Sequence, residues 1–487
     1  MRTNSDFIKK CLFVGVVIGL VFITPLFAID NPLGREIQPR NLMNQYNLTI
    51  YDLSGNPAFY GISYPDNLDF YQMQATNDNN VFRRLYDPRR QEDYALSFHS
   101  AKHLSERNTL VTGIRFNRTI QRDLYHSLEK NIYDEYIAFL DTTTGTTTYN
   151  SPQINFLYDY ALTKRLHLGL EINYGVEQSL KDVYTQCEII ARNTELRGGL
   201  SYISKNQKII GGLLGTYYNA QRKYEAVKYY QDAFVRTLFG YHIYKDETPK
   251  SINRKNDERE GGGLALQFCH RDFMLPGLAL IITGEYNGRS DNVTVGSPQK
   301  PTPRGHWVRE IRRGILDLNY SPIESNNSLE FIYEFRSMDD WVKSGNYEVI
   351  ILDNAELLNV FSLRWQTRLF KRLKMNIGAS YASQACDYQE YTIPFQYHET
   401  DYHSSAFLDL NYAINQILSV YFLGNLAIDD LYFYWNAERA TRYGCEIGIE
   451  RLTTFGRFGA GLEYFQTACN NPDQYNQTIG LKISYWK

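Results

Sequence analysis

The sequence predicts an all-β protein, a transmembrane antiparallel up-and-down β-barrel of about 16 to 18 strands. Three observations predict it. Apolar residues recur at every second position in paired arms joined by tight turns. Each arm is about ten residues long, enough for a tilted strand to cross a bilayer, where strands of soluble proteins usually run to about five or six. Tight turns alternate along the chain with long polar connections, the pattern of a barrel with short turns on one side of a membrane and loops on the other.

The organising unit is the stretch 154–176. Ile154, Phe156, Tyr158, Tyr160 and Leu162 alternate with polar residues, Thr163, Lys164 and Arg165 interrupt, and Leu166, Leu168, Leu170, Ile172, Tyr174 and Val176 resume the alternation. Side chains on a strand point to opposite faces in turn, so this is strand, turn and strand with one apolar face and one polar face.

The first residues are read separately. Arg2, Lys9 and Lys10 precede an apolar run from Cys11 to Ile23, followed by Pro25 and Ala28. This is the pattern of a secretory signal peptide over 1–28. Residues 29–91 are irregular and broken by prolines, with turn chemistry around Ser54-Gly55-Asn56-Pro57. They form either a plug in the lumen or a periplasmic lead-in. Phe59, Tyr60, Tyr64, Phe70 and Tyr71 need burial, which favours the plug. The barrel is expected over 92–487.

From Asp93 onward the hairpin recurs, opening with Tyr94 to Phe98 and Leu110 to Phe116 and closing with Ile479 to Tyr485. Long polar loops are expected at 120–150, 245–260, 289–306, 336–355 and 384–404. The stretch 234–244 reads as a strand that breaks the up-and-down parity, either in an external flap or beside a partner hidden near 217–230. Aromatic residues at strand ends, among them Tyr174, Tyr202, Tyr218, Tyr286, Tyr320, Tyr381 and Tyr412, are expected to form two rings at the lipid–water boundaries.

Composition narrows the function. The chain of 487 residues is 43% hydrophobic and 22% charged, with a formal charge of −3. That balance gives no basic footprint for nucleic acid. After residue 30 no run reaches the roughly eighteen apolar residues of a spanning helix. The 40 Tyr and 26 Phe suit interfacial girdles. Cys187, Cys269, Cys386, Cys445 and Cys469 show no metal or disulfide-scaffold spacing and read as isolated thiols, with a bridge between two loop cysteines as the alternative.

The alternation assigns Arg115, Glu171, Asn173, Arg197, Asp317, Glu334, Arg364, Arg368, Asp409 and Glu446 to the lumen. Both signs occur without a ladder of either, so the expectation is a hydrogen-bonded, partly filled lumen and not a simple anion or cation pore. His398-Glu399-Thr400-Asp401-Tyr402-His403 gathers possible metal ligands, but its spacing matches no ligand pair and no metal or other cofactor is expected. Ser404 and Ser405 beside His403, and the pair Asp339-Asp340, lack diagnostic surroundings, so the chain does not read as an enzyme. Gly261-Gly262-Gly263 leads into a strand and is no phosphate cradle.

The terminal Gly-Leu-Lys-Ile-Ser-Tyr-Trp-Lys487 resembles the last strand by which outer-membrane proteins are recognised for assembly. Asn56-Pro57-Ala58 is similar to the element preceding the barrel in fatty-acid transporter-like families. The tyrosine-rich whole resembles the large, uncharacterised outer-membrane barrels of Bacteroidetes. These resemblances imply the cell outer membrane as location, with outer-membrane lipid and the barrel assembly machinery as partners. The function expected is passage or binding of a small solute. The contrasting reading is an accessory barrel docking a partner protein of a surface or secretion complex, and a third is a loop-sited hydrolase.

Overall fold

The computed structural model describes residues 49–487, apart from 65, 82, 84, 125–129, 131, 133–134, 142, 184–185, 229–234, 241, 249–253, 297–298, 323–326, 346–347, 394, 432–436 and 470–474. The signal peptide expected over 1–28 lies outside the described residues. Two short helices come first, α1 (Ile50–Ser54) and α2 (Tyr60–Ser63), with a 3-10 turn at Pro57–Phe59 between them.

The strands follow. They are β1 (Leu68–Asn80), β2 (Arg90–Ser105), β3 (Asn108–Leu124), β4 (Ile137–Leu140), β5 (Gly145–Ala161), β6 (Leu166–Lys181), β7 (Gln186–Ile203), β8 (Ile209–Lys228), β9 (Val235–Phe239), β10 (Ile243–Glu247) and β11 (Arg254–His270). The second half holds β12 (Leu278–Val295), β13 (Thr302–Tyr320), β14 (Ser328–Ser344), β15 (Ile350–Phe370), β16 (Leu373–Glu390), β17 (Phe395–Ala413), β18 (Leu418–Leu431), β19 (Ala437–Leu452), β20 (Arg457–Cys469) and β21 (Tyr475–Trp486).

Eighteen of these strands form one antiparallel sheet in which each pairs with its neighbours in sequence. The ring closes where Phe70 of β1 faces His99 of β2 on one side and Trp486 of β21 on the other. A closed ring has no edge, so each wall strand is hydrogen-bonded to a neighbour on both sides. The remaining β4, β9 and β10 form a separate sheet.

Burial is inverted relative to a soluble domain. On β11, Leu264 and Leu266 are 64% and 68% exposed, whereas Ala265 and Gln267 between and beyond them are buried. Higher on the same strand Lys255, Asp257 and Arg259 are buried on the inner face. Tyr174, Tyr202, Tyr286, Tyr320, Tyr381 and Tyr412 are exposed on the outer face. Tyr218 departs from the expected ring. It points inward, and Tyr217 takes the outer position.

Three boundaries differ from the sequence reading. The wall begins at Leu68 and not near residue 92, because β1 pairs along its length with both β2 and β21. Its Asp69, Asn77 and Asp78 obscure the alternation in the sequence. The expected polar loops are mostly strand: wall strands run to 21 residues in β15. Above the apolar band their outer face turns polar, so the alternation that marks a spanning strand disappears. Of the stretch 234–244, 235–239 belongs to β9 and 243–244 to β10, both outside the wall, and of the expected partner near 217–230, 217–228 is the upper part of β8 in the wall itself.

Candidate functional site

Two parts of the chain enter the lumen, one from each end. At the end with the tight turns sits the segment 49–64. Thr49 and Asp52 form a reciprocal cap on α1: the Thr49 hydroxyl accepts from the Asp52 amide at 3.3 Å, and the Asp52 carboxylate accepts from the Thr49 amide at 2.7 Å. Gly55 ends the helix in the left-handed region at φ 63°. The Asn56 side chain then caps the 3-10 turn by accepting from the Ala58 amide at 3.0 Å. Pro57 supplies a preset φ at the first position.

The same Asn56 anchors the segment to the wall. Its amide nitrogen donates to the Leu213 carbonyl at 3.1 Å and to Gln267 Oε1 at 3.0 Å. Ser201 donates to the Ala58 carbonyl at 3.0 Å, and the Gly61 amide donates to Asp159 at 2.9 Å. Ile50, Tyr51, Leu53, Phe59, Tyr60 and Tyr64 pack with Val111, Leu157, Ile210 and Ile281 of the wall. The aromatics Phe59, Tyr60 and Tyr64 thus fill lumen volume that wall side chains alone leave open in a barrel of this size.

At the other end, described parts of the connections between β3 and β5 and between β8 and β11, among them β4 and Val235 of β9, lie inside the lumen. All four residues of β4 are buried. Ile137 packs with Val293, Trp307, Val342 and Leu352, inner-face residues of β12 to β15. Phe139 packs with Cys187, Ile189 and Tyr224 of β7 and β8. One short strand therefore touches inner faces on two arcs of the wall that flank β11, so it lies inside the lumen, and it is called the lid below.

Polar contacts fix the lid. Tyr136 donates to Asp340 at 2.5 Å and accepts from Asn354 at 3.0 Å. Lys255 donates to the Ile137 carbonyl at 3.0 Å. Lys181 makes contacts of 2.8 and 2.6 Å to the two oxygens of Asp141, both side chains being buried. Glu135 receives Arg222 at 2.8 Å and also pairs with Arg259. Burial alone would raise the Glu135 carboxyl, but the charges of Arg222, Arg259 and Lys255 outweigh it and hold it well below the usual carboxylate range.

Between the two inward elements lies a chamber of about 1060 Å³. Asp52, Leu53 and Ser54 floor it, and Lys130 and Glu135 border it from the lid side. Of the residues expected in the lumen, Arg115, Asn173, Arg197, Glu334 and Arg364 line this chamber. Glu171, Asp317, Asp409 and Glu446 are buried. Glu171 lies 3.5 Å from Arg197 and accepts from Asn155 at 2.8 Å. Arg368 is exposed close to the tight turn after Phe370.

Seven further arginines line the chamber that the sequence did not point to: Arg192, Arg222, Arg259, Arg289, Arg309, Arg313 and Arg336. Arg259, Arg289 and Arg336 fall in stretches read as loops. Continuing the two-residue phase upward from Leu264 or Ile282 is the signal that places them inside.

The other candidate constellations come apart on the strands. His398 and His403 are five residues apart on β17 and so occupy opposite faces. His403 faces Asp429 at 3.3 Å, and His398 is outward and largely exposed. Asp340 is buried against Arg309, whereas its neighbour Asp339 is outward. Ser405 is buried and Ser404 lies on the other face. Among the described residues no group of three or more His, Cys, Asp and Glu converges as for a metal ion. Cys187, Cys269, Cys386 and Cys445 are free thiols.

No curated protein matches the chain by sequence. Among solved structures it is similar to the copper transporter OprC, with a TM-score of 0.49 and 11% identity over 83% of this chain and 62% of that one. It is also similar to the ferric yersiniabactin uptake receptor FyuA from Yersinia pestis, at a TM-score of 0.45 and 7% identity over 86% and 80% of the two chains. The outer membrane transporter YddB from Escherichia coli matches at 0.42 and 7% identity over 87% and 81%. A family model covers almost the whole described chain, residues 57–485, and the protein belongs to that family of unknown function, DUF6850.

Proposed function

We propose that the protein is an outer-membrane barrel that passes or binds a small solute through a chamber held between two inward elements. The chamber carries this reading: about 1060 Å³ of space, with many charged side chains in its lining, is bounded below by 52–54 and beside the lid by Lys130 and Glu135. The outer face supports the location. Its exposed Leu, Ile, Phe and Tyr side chains would meet lipid, and a closed antiparallel ring is one of the two backbone solutions that cross a bilayer. In this reading the tight turns face the periplasm and the lid faces outside, and the segment 49–64 is a plug. The Asn56-Pro57-Ala58 element, similar to that of fatty-acid transporter-like barrels, belongs to the plug. The terminal strand that ends in Trp486 is the part offered to the assembly machinery.

Single-channel recording on the purified, heat-modifiable protein tests the reading. The wild type is expected to conduct rarely, and a variant with a weakened lid and displaced plug, Tyr136→Phe with Gly169→Val, to conduct in long openings. A folded double variant that never conducts would overturn solute passage and leave the accessory barrel in its place.

A further inference from the structure

We propose that the chamber takes a small polyanion, a solute carrying at least two phosphate or carboxylate groups, and holds it against Arg289 and Arg336. This rests on the reading of the chamber as a solute site. Among the described lining residues, eleven are Arg or Lys and six are Asp or Glu. The surplus is concentrated on the neighbouring strands β11 to β14. There the antiparallel register sets Arg289 directly opposite Arg309, and Arg313 directly opposite Arg336. Like charges at facing positions of one sheet face destabilise it. Inside an enclosed lumen water screens them less than at a surface.

Part of that repulsion is answered within the chain. Arg309 pairs with Asp340 at 2.7 Å, and Arg313 pairs with Glu334 at 2.6 Å. Arg289 and Arg336 have no carboxylate at ion-pair distance among the described residues. The Arg289 Nε is buried without a hydrogen-bond acceptor, and the guanidinium rests 4.9 Å from the Trp307 ring. Glu356, on the strand beside Arg336, accepts instead from Asn354 at 3.0 Å and Gln384 at 2.9 Å. Two arginine forks thus face the chamber with donors to spare. A planar guanidinium binds an oxyanion through two parallel hydrogen bonds, which a phosphate or carboxylate supplies and a neutral sugar does not. Two such forks on alternate strands select for two anionic groups on one solute.

The test is calorimetric titration of the detergent-solubilised full chain with inorganic pyrophosphate, with citrate, and with neutral raffinose. Each is repeated in the Tyr136→Phe background so that a closed lid does not mask the site. Saturable binding of pyrophosphate or citrate, weakened at least tenfold by R289Q or R336Q and unchanged by R312Q on the outer face, is the expected result. Heat-modifiable mobility establishes that each variant is folded, and removing one of two opposed cations should not impair the wall. No saturable anion binding in either background, or binding unaffected in the R289Q/R336Q double variant, overturns the proposal. Vesicle efflux separates it from the transport reading. Anion binding without protein-dependent efflux keeps the anion site and removes passage, whereas raffinose efflux without anion binding does the reverse.

Discussion

Gly169 of β6 and Ala58 of the 3-10 turn are in backbone contact: a Cβ at Gly169 would come within 2.8 Å of the Ala58 Cα and closer still to its amide nitrogen. The segment 49–64 is therefore seated against bare wall backbone, and a side chain at Gly169 would displace it. Gly169→Val is expected to leave the heat-modifiable barrel intact and to increase conductance. Recording the variant beside the wild type checks this. Unchanged conductance in a folded variant would mean that 49–64 does not obstruct the lumen.

The lid depends on Tyr136. Tyr136→Phe removes the donor to Asp340 and the acceptor of Asn354. Leaving buried polar groups without a partner costs about 1–3 kcal/mol. Arg309 still holds Asp340, so the loss should weaken the lid and spare the wall. Protease cleavage within 125–144 should accelerate while the barrel core resists. Equal cleavage rates in variant and wild type would remove the Tyr136 contact as a determinant of closure.

A second anchor is more costly to break. Lys181→Met leaves Asp141 buried without its cation, and breaking a buried pair costs about 3–5 kcal/mol. The variant should show a lid that unfolds at lower urea concentration than the wall. The double variant K181M/D141L should recover most of the loss, because an apolar pair of similar bulk needs no charge partner. Failure of the second change to rescue the first would point to distorted packing as the cause.

Acid should loosen the lid. The Glu135 carboxyl is held below its ordinary value of 4.5, so it binds a proton less readily when the lid is seated than when it is free. Its contribution is complete above that ordinary value and declines as pH falls below it. Opening frequency should stay level from pH 7 down to about 5 and rise as pH falls below about 4.5. Glu135→Gln should remove this dependence while raising the opening frequency at neutral pH. A wild-type profile flat to pH 3 would exclude Glu135 as the acid-sensitive group.

Thiol reactivity gives an independent readout of the same element. Cys187 is buried, in contact with Tyr224 at 2.6 Å and within the cluster that receives Phe139. In the wild type Cys187 should label slowly with a water-soluble maleimide. Phe139→Ala should expose it and speed labelling several-fold, as followed by mass spectrometry of the peptide.

The barrel itself was legible because its physics repeats. The hairpin Ile154 to Val176 shows one period over and over, and outward positions such as Leu264 and Leu266 keep it with apolar side chains. The chamber was much less so. Glu171 and Arg197 were assignable to the inside by phase alone, because they sit between apolar outward neighbours. Arg289 and Arg336 sit where the outer face has turned polar, and there the sequence no longer distinguishes in from out. Nothing in the composition of Tyr136 to Leu140 says that a short apolar run is buried inside a lumen and does not form part of the wall. Asn56 shows in the sequence only as part of a turn and of a resemblance. That one amide both caps a turn and bonds to two strands is a property of the folded chain.

The two inward elements act at different heights on different parts of the wall, Asn56 gripping β8 and β11 near the tight turns and Tyr136 gripping β14 and β15 at the far end. With no described contact shared between those anchors, they form an airlock. Leakage needs both doors ajar together, and the odds of independent rare openings multiply. Under the proposed function, a wide barrel can in this way remain tight even though each door, taken singly, opens from time to time.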